Sequence, residues 1–170
     1  MRIAIIGNSG SGKSTLARAI ARERGWPVLD LDTVVWEPKK IAVPRDPVAA
    51  REDVERFCAA NADWILEGCY ADLIGESLRH SPLLIFMDPG VEQCLANCRG
   101  RAWEPHKYAS KAEQDEKLAF LLTWVRDYYE RDGSTSLKDH EALYLSYAGP
   151  KRRLHDTSIL QSDLLADGAL

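Results

Sequence analysis

The chain opens with Met1-Arg-Ile-Ala-Ile-Ile-Gly-Asn-Ser-Gly-Ser-Gly-Lys-Ser-Thr15, and this stretch decides its fold. Gly7, Gly12, Lys13 and Ser14 fit the G-x-x-x-x-G-K-[ST] pattern of a phosphate-binding loop, or P-loop. An apolar run that ends at Ile6 precedes the pattern, and helix-like sequence follows it. Because this is the structural context the pattern requires, the stretch predicts a nucleoside triphosphate site.

Each residue type in this loop has a physical task. Glycine lets the backbone turn tightly, so that successive N–H groups point at phosphate oxygens beside a helix N-terminus. We expect the Lys13 ammonium to neutralise the β- and γ-phosphates and the Ser14 hydroxyl to bind Mg²⁺, so the predicted cofactors are ATP and Mg²⁺. The expected nucleotide-binding residues are Gly7, Asn8, Ser9, Gly10, Ser11, Gly12, Lys13, Ser14 and Thr15.

The composition is that of an ordinary globular chain. A length of 170 residues with 45% hydrophobic and 28% charged side chains suits one domain with a continuous core. The net charge of −4 gives no overall basic field, so direct nucleic-acid binding is not expected. No apolar run approaches the ~18 residues of a membrane span, and the opening strand leaves no room for a signal peptide. We therefore expect a cytoplasmic protein without membrane contact; monomer and homodimer both stay open.

The order of strand-like and helix-like runs predicts an α/β domain with a parallel sheet. After the first strand, strands are predicted over Pro27–Leu31, Trp64–Gly68, Leu83–Asp88 and Ala142–Tyr147. Helices are predicted from Lys13 to Gly25, from Pro47 to Asn61 with Asp46 as N-cap, and over Asp72–Arg79, Val91–Arg99 and Ala112–Arg131. A loop over Gly149–Arg153 would follow the fifth strand, and Arg152 or Arg153 would stack on an adenine ring there.

Three acids lie at predicted strand ends. Asp30 and Asp32 lie at the carboxyl end of the second strand, where an open parallel sheet binds ligands. One would reach Mg²⁺ through water and the other an acceptor hydroxyl, or both simply form a solvated strand end or helix N-cap. Asp88 ends the fourth strand in a Walker-B-like position and competes with Asp30 for the magnesium role.

Other residues have a functional and a structural interpretation. Gly68, at the end of the third strand, either lets a ligand approach closely or forms a simple turn. Trp36 lies in a loop-like stretch near Lys39 and Lys40, where it either clamps an anionic substrate or packs the loop.

Arginines precede a stretch broken by Gly and Pro that has the length of a short lid. Arg99 and Arg101 would stabilise charge on a transferring phosphoryl group, unless they form a surface cluster, and Arg126 would also reach the phosphates.

The motifs together resemble those of the small kinases of the adenylate kinase and shikimate kinase group. The shared elements are Gly7-x4-Gly12-Lys13-Ser14, Asp30-Leu-Asp32, Glu67-Gly68-Cys69-Tyr70 and Asp88. More closely, the chain looks like the FlaR-type DNA topology modulation proteins, which are called adenylate kinase-related. Their "LD-T-x-x-W", "W-I-x-x-G-x-Y" and "F-x-D" runs stand here as Leu31-Asp32-Thr33-Val-Val-Trp36, Trp64-Ile65-Leu-Glu-Gly68-Cys69-Tyr70 and Phe86-Met-Asp88.

The resemblance implies a three-layer P-loop NTPase fold, with a five-stranded parallel sheet of order 2-3-1-4-5 and helices on both faces. Residues 1–170 would form one domain, in which 33–61 is a substrate-binding insert and 100–113 a short lid. Asp32 would contact the acceptor and Asp30 would be the magnesium-side acid. The expected substrate-binding residues are Asp32, Trp36, Gly68 and Tyr70.

The leading functional hypothesis is a kinase that transfers the γ-phosphoryl group of ATP to a small acceptor, either a nucleotide or a hydroxylated metabolite. Its expected catalytic residues are Lys13, Asp32, Arg99, Arg101 and Arg126. The alternative is a nucleotide-responsive regulatory or topology-modulation protein that acts through a macromolecular partner. A GTPase is a weaker option, because the sequence contains no Asn-Lys-x-Asp base-reading motif.

Overall fold

The computed structural model describes residues 1–37, 43–103 and 109–156. Its strands are β1 (Arg2–Gly7), β2 (Val28–Asp30), β3 (Trp64–Gly68), β4 (Leu83–Met87) and β5 (Lys151–Leu154). The helices within these ranges are α1 (Lys13–Arg24), α2 (Asp32–Val35), α3 (Pro47–Ala60), α4 (Ala71–Ser77), α5 (Val91–Arg99), α6 (Lys111–Asp127) and α7 (Leu137–Ser146). One turn of 3-10 helix, Leu78–His80, continues α4.

The strands form a single five-stranded sheet in the order β2-β3-β1-β4-β5. Every neighbouring pair is parallel, so the carboxyl ends of all strands lie along one edge. The predicted fold class and strand order are confirmed. The carboxyl ends of β1, β2 and β3 bring the P-loop and the acids after β2 together at this edge.

Helices cover both faces of the sheet because β1 is apolar on both sides. Ile3 and Ile5 pack with α1, whereas Ala4 and Ile6 pack on the opposite face with α3, α4 and α7. All four side chains are fully buried. Continuous apolar sequence of this kind is typical of a central parallel strand.

Local signals at the helix ends behave as the sequence predicts. Gly25 ends α1 in the left-handed region at φ 71°, and its N–H donates to the Ala21 carbonyl. Asp46 caps α3 by accepting hydrogen bonds from the N–H groups of Val48 and Ala49. Pro47 occupies the first turn, where its missing N–H costs nothing.

The predicted position of the fifth strand is wrong. Most of the segment from Ala142 to Tyr147 belongs to α7, whose Leu143 and Tyr144 pack on the sheet. Its few apolar residues fit a strand period and a helix period equally well, and Ser136 begins the helix by capping the Asp139 N–H.

The fifth strand of the structure, β5, lies at the edge of the sheet and is polar. Because an edge strand needs no continuous apolar sequence, a search for apolar runs does not find it. Arg152 therefore lies inside β5 opposite Ile85, not in a loop around adenine. The loop predicted over 149–153 is therefore wrong from Lys151 onward, whereas the stacking of Arg152 on an adenine ring stays a prediction.

Two smaller boundaries also differ. The helix predicted to reach Arg131 ends at Asp127, and the stretch predicted to be loop-like from Thr33 contains most of α2. Lys39 and Lys40 lie outside the described residues, as does the centre of the predicted lid, 104–108. Among the described helices, none combines the length and apolarity needed to cross a bilayer.

Candidate functional site

The P-loop is held from two sides by the helices that follow β4. The Asn97 amide on α5 donates to the Gly10 carbonyl at 2.8 Å, and the Asn8 amide donates to the Val125 carbonyl of α6 at 2.9 Å. Gly10 has φ 80°, and a Cβ built on it would lie 2.3 Å from the Cys94 carbonyl oxygen. Only glycine meets both conditions, so the loop conformation is fixed by close packing as well as by its dihedral angles.

Lys13 lies inside the loop and not in solvent. Its side chain is 8% exposed, and its ammonium donates to the Asn8 carbonyl at 2.9 Å. The Ser11 hydroxyl is fully buried and has no hydrogen-bond partner among the described residues. Gly12 begins α1 in the left-handed region at φ 96°, which leaves the first N–H groups of that helix at the loop. Buried positive charge and helix N–H groups at one loop suit a polyphosphate.

A buried glutamate faces the helical end of the loop. Glu67 lies on β3 beside Asp30 of β2 and is 4% exposed. The Ser14 hydroxyl, the Lys13 ammonium and the carboxylates of Asp30 and Asp32 all lie close enough to act on its charge. Burial is the main reason that the pKa of Glu67 is raised; the two aspartates raise it further, whereas Lys13 and Ser14 oppose the shift. The site thus brings three carboxylates to one ammonium and one hydroxyl.

Sequence reasoning gave Glu67 no role. The available signal was an acid in an otherwise apolar, buried strand, since a fully buried carboxylate is rare without a partner. The partner, Ser14, is far away in sequence and becomes a neighbour only through the pairing of β3 with β1.

Asp30 is the last residue of β2, and Asp32 is the first residue of α2. The Asp32 backbone N–H donates to the Asp30 carboxylate at 2.9 Å, and the Thr33 hydroxyl donates to the Asp30 carbonyl at 2.7 Å. The structural interpretation of a helix-start contact therefore holds for Asp30. It does not compete with a ligand role, because a carboxylate has about four acceptor positions.

Three of the predicted substrate-binding residues lie together. The Tyr70 hydroxyl donates to the Asp32 carboxylate at 2.9 Å, and the Trp36 indole lies close enough to act on the same hydroxyl. The pKa of Tyr70 is raised, first by burial and then by the neighbouring Cys69 and Asp32. Trp36 keeps 39% of its surface exposed, so an aromatic face lies next to a carboxylate.

Gly68 has a packing role in this cluster. A Cβ on Gly68 would lie 2.7 Å from the Cβ of Leu31. The sequence allows two interpretations of Gly68, close approach of a ligand or a simple turn. In the structure, the space beside Gly68 is filled by Leu31, the residue that follows β2. The glycine brings β3 against the turn that carries Asp32.

The turn carrying Tyr70 is fixed from behind by a buried histidine. His140 Nε2 lies 2.9 Å from the Cys69 carbonyl oxygen, and its Nδ1 lies 2.8 Å from the Tyr128 hydroxyl. Burial lowers the pKa of His140 to about 4, so the ring is neutral near pH 7. Because the carbonyl only accepts, Nε2 carries the proton and Nδ1 accepts from the tyrosine. Nothing in the sequence pattern around His140 indicates this contact.

Comparison with known proteins gives few sequence matches and clear structural ones. No family model matches the chain. A shikimate kinase of Moorella thermoacetica is 46% identical over 55 residues, which are 32% of this chain. The chain thus spans only 31% of the length of that curated relative.

Two solved structures superpose over nearly the whole chain. A shikimate kinase from Bacteroides thetaiotaomicron has a TM-score of 0.54 at 19% identity, covering 95% of this chain and 93% of that one. An unliganded sugar kinase from Janibacter sp. HTCC2649 has a TM-score of 0.52 at 18% identity, with coverages of 96% and 91%. The chain has the fold of the small P-loop kinases. The resemblance stated from the motifs is thereby confirmed at the level of the fold.

Within this P-loop kinase fold, Asp88 has a partner of its own. Arg153 of β5 donates to its carboxylate at 2.7 Å and also to Glu141 at 2.8 Å. Asp88 is 13% exposed, so this ion pair is largely shielded from water. The negative charge of Asp88 is therefore already balanced by Arg153. The three acids around Lys13, in contrast, share the charge of one ammonium group.

Two of the arginines predicted to act on the phosphates, Arg99 and Arg126, closely follow residues that contact the P-loop. Arg99 is the last residue of α5, two positions after the Asn97 that contacts the loop, and its side chain is exposed. Arg126 follows Val125, whose carbonyl receives the Asn8 amide, and is also exposed. Arg101 is half-buried. Their action on a phosphoryl group stays a prediction.

Proposed function

We propose that the protein transfers the γ-phosphoryl group of ATP to a hydroxyl of a small acceptor, a nucleotide or a hydroxylated metabolite. The observation that carries this proposal is the convergence of Lys13 and Ser14 with Glu67, Asp30 and Asp32 at one sheet edge. A protein that only binds nucleotide needs the loop and one magnesium-side acid. A second carboxylate, joined to an exposed aromatic side chain, supplies what an acceptor requires.

The donor half consists of the loop and Glu67. Backbone N–H groups from Gly7 to Thr15 would surround the phosphates, and Lys13 would offset their charge. Ser14, Glu67 and Asp30 offer only oxygen donors, which is the ligand set that Mg²⁺ prefers.

The described residues contain no cluster of three or more His, Cys, Asp or Glu side chains that could hold a metal ion. The smaller set of Ser14, Glu67 and Asp30 fits Mg²⁺, because this ion is held by one or two carboxylates together with nucleotide phosphates and water. When held by Ser14, Glu67 and Asp30, Mg²⁺ would supply positive charge that offsets the charge developing on the transferred phosphoryl group.

The acceptor half is centred on Asp32. The acceptor hydroxyl would donate to this carboxylate, while its oxygen attacks the γ-phosphorus opposite the leaving oxygen. A new P–O bond forms as the bond to the β–γ bridging oxygen breaks, the hydroxyl proton passes to Asp32, and ADP leaves. Arg99, Arg101 and Arg126 would stabilise charge on the phosphoryl group.

Similarity to known proteins supports a phosphotransferase. The 55-residue match is to a protein named shikimate kinase, and the superposing structures are named kinases. This similarity supports phosphoryl transfer as the reaction type, whereas the class of acceptor is argued from the geometry of the site.

The test measures ADP formation from MgATP with a panel of nucleoside monophosphates, nucleosides, sugars and hydroxy acids. We expect one class of acceptor to stimulate turnover, and Lys13→Met to abolish the stimulation while leaving the thermal unfolding temperature within a few degrees. Unchanged turnover in Lys13→Met would contradict the assignment. Flat basal hydrolysis with every acceptor would instead favour the nucleotide-responsive regulatory protein.

A further inference from the structure

The acceptor side of the site carries a strong excess of negative charge. Between residues 28 and 80, which form its strands and helices, the chain has eleven acidic side chains and six basic ones. Two of the six, Lys39 and Lys40, are outside the described residues. Even with both counted, an anion entering from this side meets a net negative segment.

The arginines of this segment are already paired with carboxylates. Arg45 lies 2.8 Å from Asp53 and also donates to the Val34 carbonyl, while Arg56 lies 2.7 Å from the same aspartate. Arg51 pairs with Glu76, and Arg79 pairs with both Glu55 and Glu76. The pKa of Asp53 is lowered, chiefly by its hydrogen bond with Arg45, as expected for a carboxylate that a cation stabilises.

Arg131, which acts electrostatically on Cys69, is also engaged. Its guanidinium lies 3.6 Å from the centre of the Trp124 ring. It donates to the Trp124 carbonyl and, through two nitrogens, to the Thr135 carbonyl. Its donors hold the segment after α6 and are not directed at a substrate. Among the described residues near Tyr70, the Arg131 guanidinium is therefore bound to other groups and does not provide a counter-ion for an acceptor anion.

The groups that do face the acceptor are a carboxylate, a phenol and an indole. Asp32 and Tyr70 share a hydrogen bond of 2.9 Å, and Trp36 next to them is 39% exposed. Asp30 and Glu67 are close by, but they are the acids that would hold Mg²⁺, so Asp32 is the carboxylate left for the acceptor. A carboxylate accepts hydrogen bonds from hydroxyl groups, and an exposed indole face packs against a flat or apolar ring face. An acceptor with its own negative charge would be repelled without gaining a counter-ion.

We propose that the acceptor is an uncharged, ring-containing polyol, such as a sugar or the ribose of a nucleoside, which donates a hydroxyl to Asp32 and packs on Trp36. The inference rests on the proposed kinase function and selects between its acceptor classes. Specificity comes from exclusion: Asp32, the carboxylate that remains for the acceptor when Asp30 and Glu67 hold Mg²⁺, rejects anionic relatives of the same ring. The contrary hypothesis, in which Trp36 and the neighbouring lysines clamp an anion, predicts the reverse order.

The experiment compares each uncharged compound with anionic relatives that keep its base or ring: adenosine with AMP, and glucose with glucose 6-phosphate and glucuronate. Transfer from MgATP is measured as kcat/KM, and binding is measured by calorimetry in the presence of a non-hydrolysable ATP analogue. We expect the uncharged member of at least one pair to exceed its anionic partner at least tenfold. The nucleoside arm and the sugar arm separate the two sources of the same chemistry.

Two controls show whether charge causes the discrimination. The ratio should shrink between 50 and 300 mM salt, since screening weakens repulsion, and a purely steric preference would not change. Asp32→Asn should bring the binding constants of the two members at least several-fold closer. Asp132→Asn, at a surface carboxylate that is 83% exposed and bound to Lys138, should leave the ratio unchanged.

The possible outcomes are distinguishable. A higher kcat/KM or tighter binding for the anionic members overturns the inference while leaving the kinase function intact. Tighter binding of uncharged members without transfer to any of them supports the charge inference and overturns the kinase function. Failure of every member to bind overturns the inference.

Discussion

His140 predicts a specific loss of stability in mild acid. The ring is fully buried, and both of its nitrogens are used, by the Cys69 carbonyl and the Tyr128 hydroxyl. A second proton on Nδ1 would remove the acceptor for the tyrosine and place a charge in the core. Burial accordingly lowers the pKa of His140 to about 4 in the folded protein.

The sign and size of the effect follow from linkage. Because the unfolded chain takes up the proton near pH 6.5 and the folded chain only near pH 4, acid favours the unfolded state. This contribution is fully present above pH ~6.5 and is lost as the pH falls toward 4. The free energy of unfolding should drop by about 2 kcal/mol at pH 5 and by roughly 3 kcal/mol when the loss is complete.

The assay is urea unfolding followed by circular dichroism at pH 7, 6, 5 and 4.5. The matched variant is His140→Gln, whose amide can still donate to the Cys69 carbonyl but does not titrate. It should be less stable than the parent at pH 7, and the gap should narrow by about 2 kcal/mol at pH 5. Carboxylates with lowered pKa, such as Asp53 and Glu55, lose their contributions equally in both proteins. Parallel pH profiles for the two proteins would refute the reasoning.

Three further predictions concern the loop and its acids. Glu67→Gln should raise the Mg²⁺ concentration for half-maximal turnover at least tenfold. It should also raise the unfolding temperature of the nucleotide-free protein, since a buried charge is removed. Asp88→Asn should leave the Mg²⁺ requirement unchanged, and the opposite pattern would assign the metal role to Asp88. Gly10→Ala should abolish ATP binding in calorimetry and cost more than ~3 kcal/mol, because the new Cβ would lie 2.3 Å from a carbonyl oxygen. Gly133→Ala, at a similar φ of 92° with nothing within 4 Å, should cost only about 1 kcal/mol, and equal losses would reject the packing argument. Tyr70→Phe should raise the acceptor KM several-fold with an unchanged KM for ATP, because it removes a 2.9 Å bond to Asp32; a change in the ATP parameter alone would speak against the acceptor assignment.

The parts of the fold that the sequence predicts are those set by local chemistry. The P-loop is recognisable because close packing demands glycine at Gly7, where a Cβ would lie 2.4 Å from the Met87 carbonyl oxygen, and a left-handed backbone favours it at Gly12. The central strands are recognisable because burial on both faces requires continuous apolar sequence. α7 and β5 were misplaced because a short apolar run has no unique period and an edge strand needs no apolar residues.

The site was only partly predictable because its main contacts join distant segments. The sequence predicts Asp32, Trp36, Gly68 and Tyr70 as substrate-binding residues, and the structure brings Asp32, Trp36 and Tyr70 together. The sequence does not indicate a role for Glu67, because that role depends on its proximity to Ser14. Only the pairing of β3 with β1 brings the two residues together. His140 was missed because a lone histidine has no pattern, and its two partners come from different segments.

The central claim is that Asp32 forms the acceptor half of a two-substrate site. The most direct measurement is acceptor-stimulated phosphoryl transfer from MgATP, compared between the parent and Asp32→Asn. We predict a loss of at least ~10²-fold in stimulated turnover, with ATP affinity changed by less than about twofold. Full stimulation in Asp32→Asn, or an equal loss of ATP binding, would contradict the claim.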